Sequence, residues 1–166
     1  MLAADTGGPA RSRFGFRADD DDGYVAIDPD AHEALVAHCR ANADREVGGV
    51  LIGSAHAGGT TVSAALPALR AQERRARLTF THDTWNQVFE AVDARWPDHE
   101  IVGWYHSHPD FGVFLSGHDV FIQRSFFPAA HHLAHVVDPV RGEEGVFGWR
   151  DGDVVALATR PAPGVE

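Results

Sequence analysis

His106, Ser107 and His108 are followed, eleven residues beyond the second histidine, by Asp119. Side chains at i and i+2 of a strand point to the same face, so His106 and His108 can present two imidazoles to one point. A carboxylate in the first turn of a following helix, where the helix dipole favours negative charge, can close on that point. Two histidines and one carboxylate form the donor set of a catalytic zinc site, whose fourth tetrahedral position stays open for water. Such a water is acidified to a pKa of about 7 and needs a base to take its proton. Glu46, at the mouth of the segment Glu46-Val47-Gly48-Gly49, is the candidate, although no spacing in the sequence brings it to His106.

Each of these residues also has a plain structural reading. A His-x-His pair occurs on many strands that hold no metal. Ser116 and Asp119 fit a helix-capping box, Ser-x-x-Asp, in which both serve only the helix. Glu46 taken alone is a surface carboxylate.

The elements that must position these residues are readable along the chain. Tyr24 to Ile27 reads as a short strand. Asp28-Pro29 is a strong helix start, a capping acceptor before proline at the first helical position. Ala31, Leu35, Val36 and Cys39 give that helix its apolar stripe, and it should end near Ala43. Val47 to Gly53 reads as a buried strand and Thr60 to Leu66 as its antiparallel neighbour. The arginine-rich stretch Ala68 to Arg77 reads as a connection or edge. A second helix runs from about Asp83 to Trp96, with Trp85, Val88, Phe89, Val92 and Trp96 as core at helical spacing and Pro97 as its stop. Glu100 to His106 is a strand, and a third helix begins near Ser116. Leu133 to Val137, Gly145 to Arg150 and Val154 to Thr159 complete the strands. A sheet flanked by a few helices makes an α+β, layered domain. Trp104 and Phe111 to Phe114 belong either to the core or to a substrate groove. His32, His38, His56, His82 and His99 read as surface residues, and His131, His132 and His135 cluster near a strand with no motif of their own.

Length and composition bound the rest. The 166 residues fit one folded unit, expected over 23–160, with a disordered acidic tail at 1–22 and a short tail at 161–166. Twenty-four acidic residues against fourteen basic ones leave a net charge of -10, which gives the chain no electrostatic reason to seek nucleic acid or an anionic membrane. No apolar run approaches the ~18 residues of a membrane span, and the first residues lack the apolar core of a signal peptide, so a cytoplasmic location is expected. The single cysteine, Cys39, excludes an internal disulfide and a cysteine-based zinc framework. Every basic residue is arginine. That fits a GC-rich coding bias and a bacterial origin, or an isopeptidase that gains by carrying no lysine itself.

The whole string resembles the motif of the JAMM (MPN+) zinc metalloprotease family. That motif is an upstream glutamate, then His-Ser/Thr-His, seven residues opening with proline, Ser, two residues and Asp. Here these are Glu46, His106, Ser107, His108, Pro109, Ser116 and Asp119. The flanks EVGGVLIG, VGWYHSHPDFGVFLSGHD and VVDPVRGEEG are similar too, in particular to members that act as the deubiquitinase of the proteasome lid. The resemblance covers about residues 24 to 158 and implies a cytidine-deaminase-like α-β-α layered fold with a curved, mostly antiparallel central sheet. It implies one catalytic zinc ion on His106, His108 and Asp119, Glu46 as general base and then acid, and Ser116 as a donor to the oxyanion. The implied reaction is hydrolysis of the bond joining a ubiquitin-like C-terminus to a lysine amine or a following residue. The implied partner is a ubiquitin-like protein or its conjugate, with a homodimer or an activating partner as a further possibility. The motif is equally compatible with trimming of a ubiquitin-like or sulfur-carrier-like precursor. A non-catalytic scaffold fits less well, because inactive members usually lose metal ligands and this chain has lost none.

Overall fold

The computed structural model describes residues 24–56, 58–68 and 80–162. The expected tail at 1–22, residues 163–166 of the expected tail at 161–166, and the arginine-rich stretch after Ala68 lie outside the described residues.

In chain order the elements are β1 (Tyr24–Ile27), α1 (Pro29–Arg40), β2 (Gly48–His56), β3 (Gly59–Pro67), α2 (His82–Arg95) and β4 (Glu100–Ser107). They continue with α3 (Gly117–Phe126), β5 (Leu133–Asp138), β6 (Glu143–Arg150), β7 (Asp153–Leu157) and β8 (Arg160–Pro161). The strands form one sheet in the order β7-β6-β5-β4-β2-β3-β1-β8. Four of its pairings are antiparallel and three, β4 with β5, β1 with β3 and β1 with β8, are parallel. The expected α+β fold with a curled, mostly antiparallel sheet is therefore the fold observed. Among the described residues no helix is long and apolar enough to cross a membrane.

Local chemistry explains the element starts. Asp28 caps α1, its carboxylate accepting from the N–H groups of Asp30 and Ala31, with Pro29 opening the helix. Thr81 caps α2 through the Thr84 N–H. Ser116 caps α3.

Alternation along the strands splits the core into two layers. On one face Leu51, Tyr105, Leu133, Val137 and Val146 pack under α1 through Leu35 and Cys39. On the other, Val50, Ile52, Trp104 and Ala134 pack under α2 and α3 through Val88, Val92 and Ile122. Burying each of these large aliphatic side chains stabilises the fold by roughly 1.5–3 kcal/mol.

Three expectations need correction. Phe89, read as core, is 52% exposed, because it lies beyond the stripe that Trp85, Val88 and Val92 turn inward. His38, read as a surface residue, is half-buried and its Nδ1 meets the Tyr105 hydroxyl at 2.7 Å. Pro161, assigned to the tail, pairs with Ile27 of β1, and the Ala162 N–H donates to the Ile27 carbonyl at 2.8 Å.

Candidate metal centre

The hub of the site is the end of β4, flanked by β2 on one side and β5 on the other. His106 lies in the strand, facing the α3 side with Trp104. His108 lies one residue past it, held in line because its N–H donates to the Val137 carbonyl at 2.8 Å. Asp119 projects from the first turn of α3. The three side chains are 0%, 4% and 3% exposed. The structure thus brings together all three residues expected to bind metal.

Their geometry is tight. His106 Nε2 and His108 Nε2 are 3.1 Å apart, and each is 3.1 Å from Asp119 Oδ2. Zinc bonds of about 2.0–2.1 Å in a tetrahedral shell separate neighbouring ligand atoms by about 3.3 Å, so the triangle is close to one face of such a shell. The tautomer of His108 points the same way. Its Nδ1 lies 3.2 Å from the Gly112 carbonyl, which can only accept, so Nδ1 carries the proton and Nε2 of the neutral ring is a lone pair. In the neutral ring that lone pair would face a carboxylate oxygen at 3.1 Å, so the pair calls for a cation between them, either a metal ion or the second proton of an imidazolium. The residues present therefore fit zinc.

Electrostatics agree. Burial alone would raise the Asp119 pKa, but the hydrogen bonds of His106 and His108, the charge of His106 and the Ser116 N–H hold it well below the usual carboxylate range. Burial alone would lower the His108 pKa, yet Asp119, the Gly112 carbonyl and the charge of Glu46 raise it on balance. The same negative field that favours an imidazolium favours a bound divalent cation.

Ser116 and Asp119 also make the capping box, with the Asp119 N–H donating to Ser116 Oγ at 3.1 Å and the Ser116 N–H to Asp119 Oδ2 at 2.9 Å. The capping and metal-site readings of Asp119 are not alternatives: one oxygen, Oδ2, receives the cap and faces both histidines.

Glu46 lies half-exposed in the loop before β2. Its neighbours are clamped to the middle of the His-Ser-His triplet. The Val47 N–H donates to Ser107 Oγ at 3.0 Å, the Ser107 hydroxyl reaches the Arg45 carbonyl at 3.4 Å, and the Ser107 N–H donates to the Val47 carbonyl at 2.9 Å. The charge of Glu46 is among the causes that raise the His108 pKa. Gly49, next along, is where backbones meet: a Cβ there would run into the Leu66 carbonyl oxygen and the Tyr105 ring.

Three further residues position the site; Trp104 and Asp138 lie in the flanks similar to the family, but no local rule in the sequence gives any of the three this role. Trp104 is fully buried and stacks on His106 at 4.4 Å with an 8° interplanar angle. It restrains a ring whose Nδ1 is buried without a hydrogen-bond partner. Gln123, one turn after Asp119, accepts from Trp104 Nε1 at 2.6 Å and so pins α3 to β4. Asp138 is fully buried and accepts four N–H groups, those of Asp110, Gly112, Val140 and Arg141. It thereby fixes Gly112, at φ +88°, whose carbonyl sets the His108 tautomer. Trp104 is therefore core, whereas Phe111 is 71% exposed and Phe114, with its ring 4.8 Å from His108, is 46% exposed beside the metal centre.

Burial would raise the Asp138 pKa, but its N–H donors bring it down to about 2. Its contribution is then fully present above the unfolded carboxylate pKa of about 4 and is lost as pH falls through about 2. Asp138→Asn should cost about 1.5–3 kcal/mol at neutral pH, since charge-assisted bonds vanish and an amide NH₂ faces N–H donors. Chemical denaturation of both proteins between pH 2 and 7 checks this: the gap should be full at pH 7 and close toward pH 2.

Residues 23–131 match the family described as JAB1/Mov34/MPN/PAD-1 ubiquitin protease, and the chain belongs to that family. Among curated relatives, it is 50% identical over 46 residues to the 26S proteasome non-ATPase regulatory subunit 14 of Drosophila melanogaster, covering 27% of this chain and 15% of that protein. It is 49% identical over 49 residues to the ubiquitin carboxyl-terminal hydrolase RPN11 of Saccharomyces cerevisiae, covering 29% and 16%. It is 31% identical over 103 residues to the NAD(+) hydrolase TcpA of a Theionarchaea archaeon, covering 60% and 29%. The match thus spans less than a third of each of these relatives. In fold it is similar to the solution structure of protein DSY2949 from Desulfitobacterium hafniense, with a TM-score of 0.65 at 20% identity over 86% of this chain and 95% of that one.

Proposed function

We propose that residues 23–160 form a zinc-dependent isopeptidase domain of the JAMM type. Its reaction is hydrolysis of the bond between the C-terminus of a ubiquitin-like protein and a lysine amine. The observation that carries this reading is the buried 3.1 Å triangle of His106, His108 and Asp119, with the charge of Glu46 acting on it. His106 and His108 would hold zinc through Nε2 and Asp119 through Oδ2.

Zinc bound there supplies an acidified water and a Lewis acid for the scissile carbonyl. Glu46 takes the proton of the attacking water as the C–O bond forms, and delivers it to the amine as the C–N bond then breaks. The Ser116 oxygen already accepts the Asp119 N–H, which leaves its own proton to donate to the carbonyl oxygen as charge develops there. Phe114 and Phe111, exposed beside His108, offer an apolar wall to the extended chain that carries the bond.

The purified chain should cleave an isopeptide conjugate of a ubiquitin-like protein, lose that activity on dialysis against a chelator, and regain it with zinc but not with magnesium. Activity that survives complete zinc removal would overturn the proposal.

A further inference from the structure

A second convergence of ligand atoms lies on the other face of the sheet. Tyr105 pairs with His135 and His106 with Val136, so strand alternation directs His135 toward the α1 side, away from His106. There His135 on β5, Glu144 on β6 and His32 in the first turn of α1 meet. His32 Nε2 lies 2.7 and 2.9 Å from the two Glu144 carboxylate oxygens, and His135 Nε2 lies 2.8 Å from Oε1. One ligand atom from each of the three residues falls within 4.8 Å of the others. They open onto a cavity of about 520 Å³ walled by Ile27, Pro29, Val146 and Leu157.

We propose that His32, His135 and Glu144 form a second metal site, for a divalent transition-metal ion, distinct from the centre at His106. Two imidazoles and a carboxylate suit zinc, cobalt or nickel rather than magnesium or calcium, which prefer all-oxygen shells. The separations are about 0.5 Å shorter than the ligand spacing of a tetrahedral zinc shell. The side chains that must open by that amount are the mobile ones: His32 is 43% and Glu144 38% exposed, whereas His135 is 2% exposed and serves as a rigid anchor. The Nδ1 of His135 is buried with no hydrogen-bond partner, so the ring is held by packing and by what its Nε2 faces. The fourth coordination position opens onto the cavity, where water or a small donor ligand can occupy it. A metal there would tie α1 to β5 and β6.

The alternative is a strut, in which both imidazoles donate Nε2–H to Glu144 and no metal enters. The two are separated by titrating cobalt(II), read by its visible absorption, into a His106→Ala/Asp119→Asn variant in which the first centre is disabled. One cobalt per chain should bind, zinc should displace it, and zinc should raise the melting temperature of this variant. Adding Glu144→Gln or His32→Ala, both at exposed positions, should weaken cobalt binding at least tenfold with the far-ultraviolet spectrum unchanged. A folded variant that binds no cobalt, or one whose Glu144→Gln derivative binds it equally well, overturns the proposal. The wild type should take up two ions. If it takes up no more than the disabled variant, the His106 centre has failed and this one has not.

Discussion

Glu46→Gln is expected to lower turnover of an isopeptide conjugate by about 10²–10⁴-fold, the usual contribution of a positioned general base, while metal content and melting temperature stay within error of the wild type. The substitution keeps the shape and removes the charge and basicity. The loop holding residue 46 is fixed by backbone bonds at Arg45 and Val47 to Ser107, so its path does not depend on the carboxylate itself. The ligands sit on β4, α3 and the turn after β4, so a loss of turnover with zinc retained isolates proton transfer from metal binding. Ser107→Ala should act through the same clamp: it removes the acceptor of the Val47 N–H and frees the loop, lowering turnover by misplacing Glu46. Turnover of Glu46→Gln equal to the wild type would assign the proton to another group and remove Glu46 from the mechanism. Assays at saturating zinc, with zinc measured on the same samples, decide between these outcomes.

The parts of this site legible in the sequence are those with local rules. A His-x-His pair at a strand end, a Ser-x-x-Asp start to a helix and an Asp-Pro start to another each depend on residues a few positions apart, and each forms where expected. Glu46 was legible only through the family resemblance, because what brings it near His108 is the pairing of Gly48 with His106 across nearly sixty residues of chain. Ser107 lies in the motif and Asp138 in a flank similar to the family, yet the bonds that they and Gln123 make had no local signal. Each works by a side-chain hydrogen bond to a partner distant in sequence, and neither periodicity nor composition encodes such a bond. The second histidine cluster stayed hidden for the same reason: His32 reads as a solvated helix residue until β6 brings Glu144 beside it. Phe89 shows the converse, a helical-spacing argument that overstates burial by counting a residue at the edge of the apolar stripe.

Asp119 carries two duties through one oxygen, and the second large effect follows from separating them. Asp119→Asn keeps an amide oxygen that can still accept the Ser116 N–H, so the capping box survives and the helix start should keep its conformation. The anionic ligand is gone, however, and with it the charge that two buried histidines converge upon. Zinc affinity should fall by about a hundredfold or more, and turnover with it. Asp119→Ala removes cap and ligand together, so it should lose the same zinc and about 1 kcal/mol more stability than Asp119→Asn. Zinc titration alongside thermal melting of the metal-free proteins reads both quantities. Retention of wild-type zinc affinity by Asp119→Asn would leave Asp119 a helix cap alone, and two histidines without an anion do not complete a hydrolytic zinc centre. Loss of zinc with the fold intact would mean that the helix start was placed where it is because its capping carboxylate is also the third ligand. The Trp104–Gln123 bond then acquires its purpose, since it sets how far α3 stands from β4 and hence the distance from Asp119 to both imidazoles.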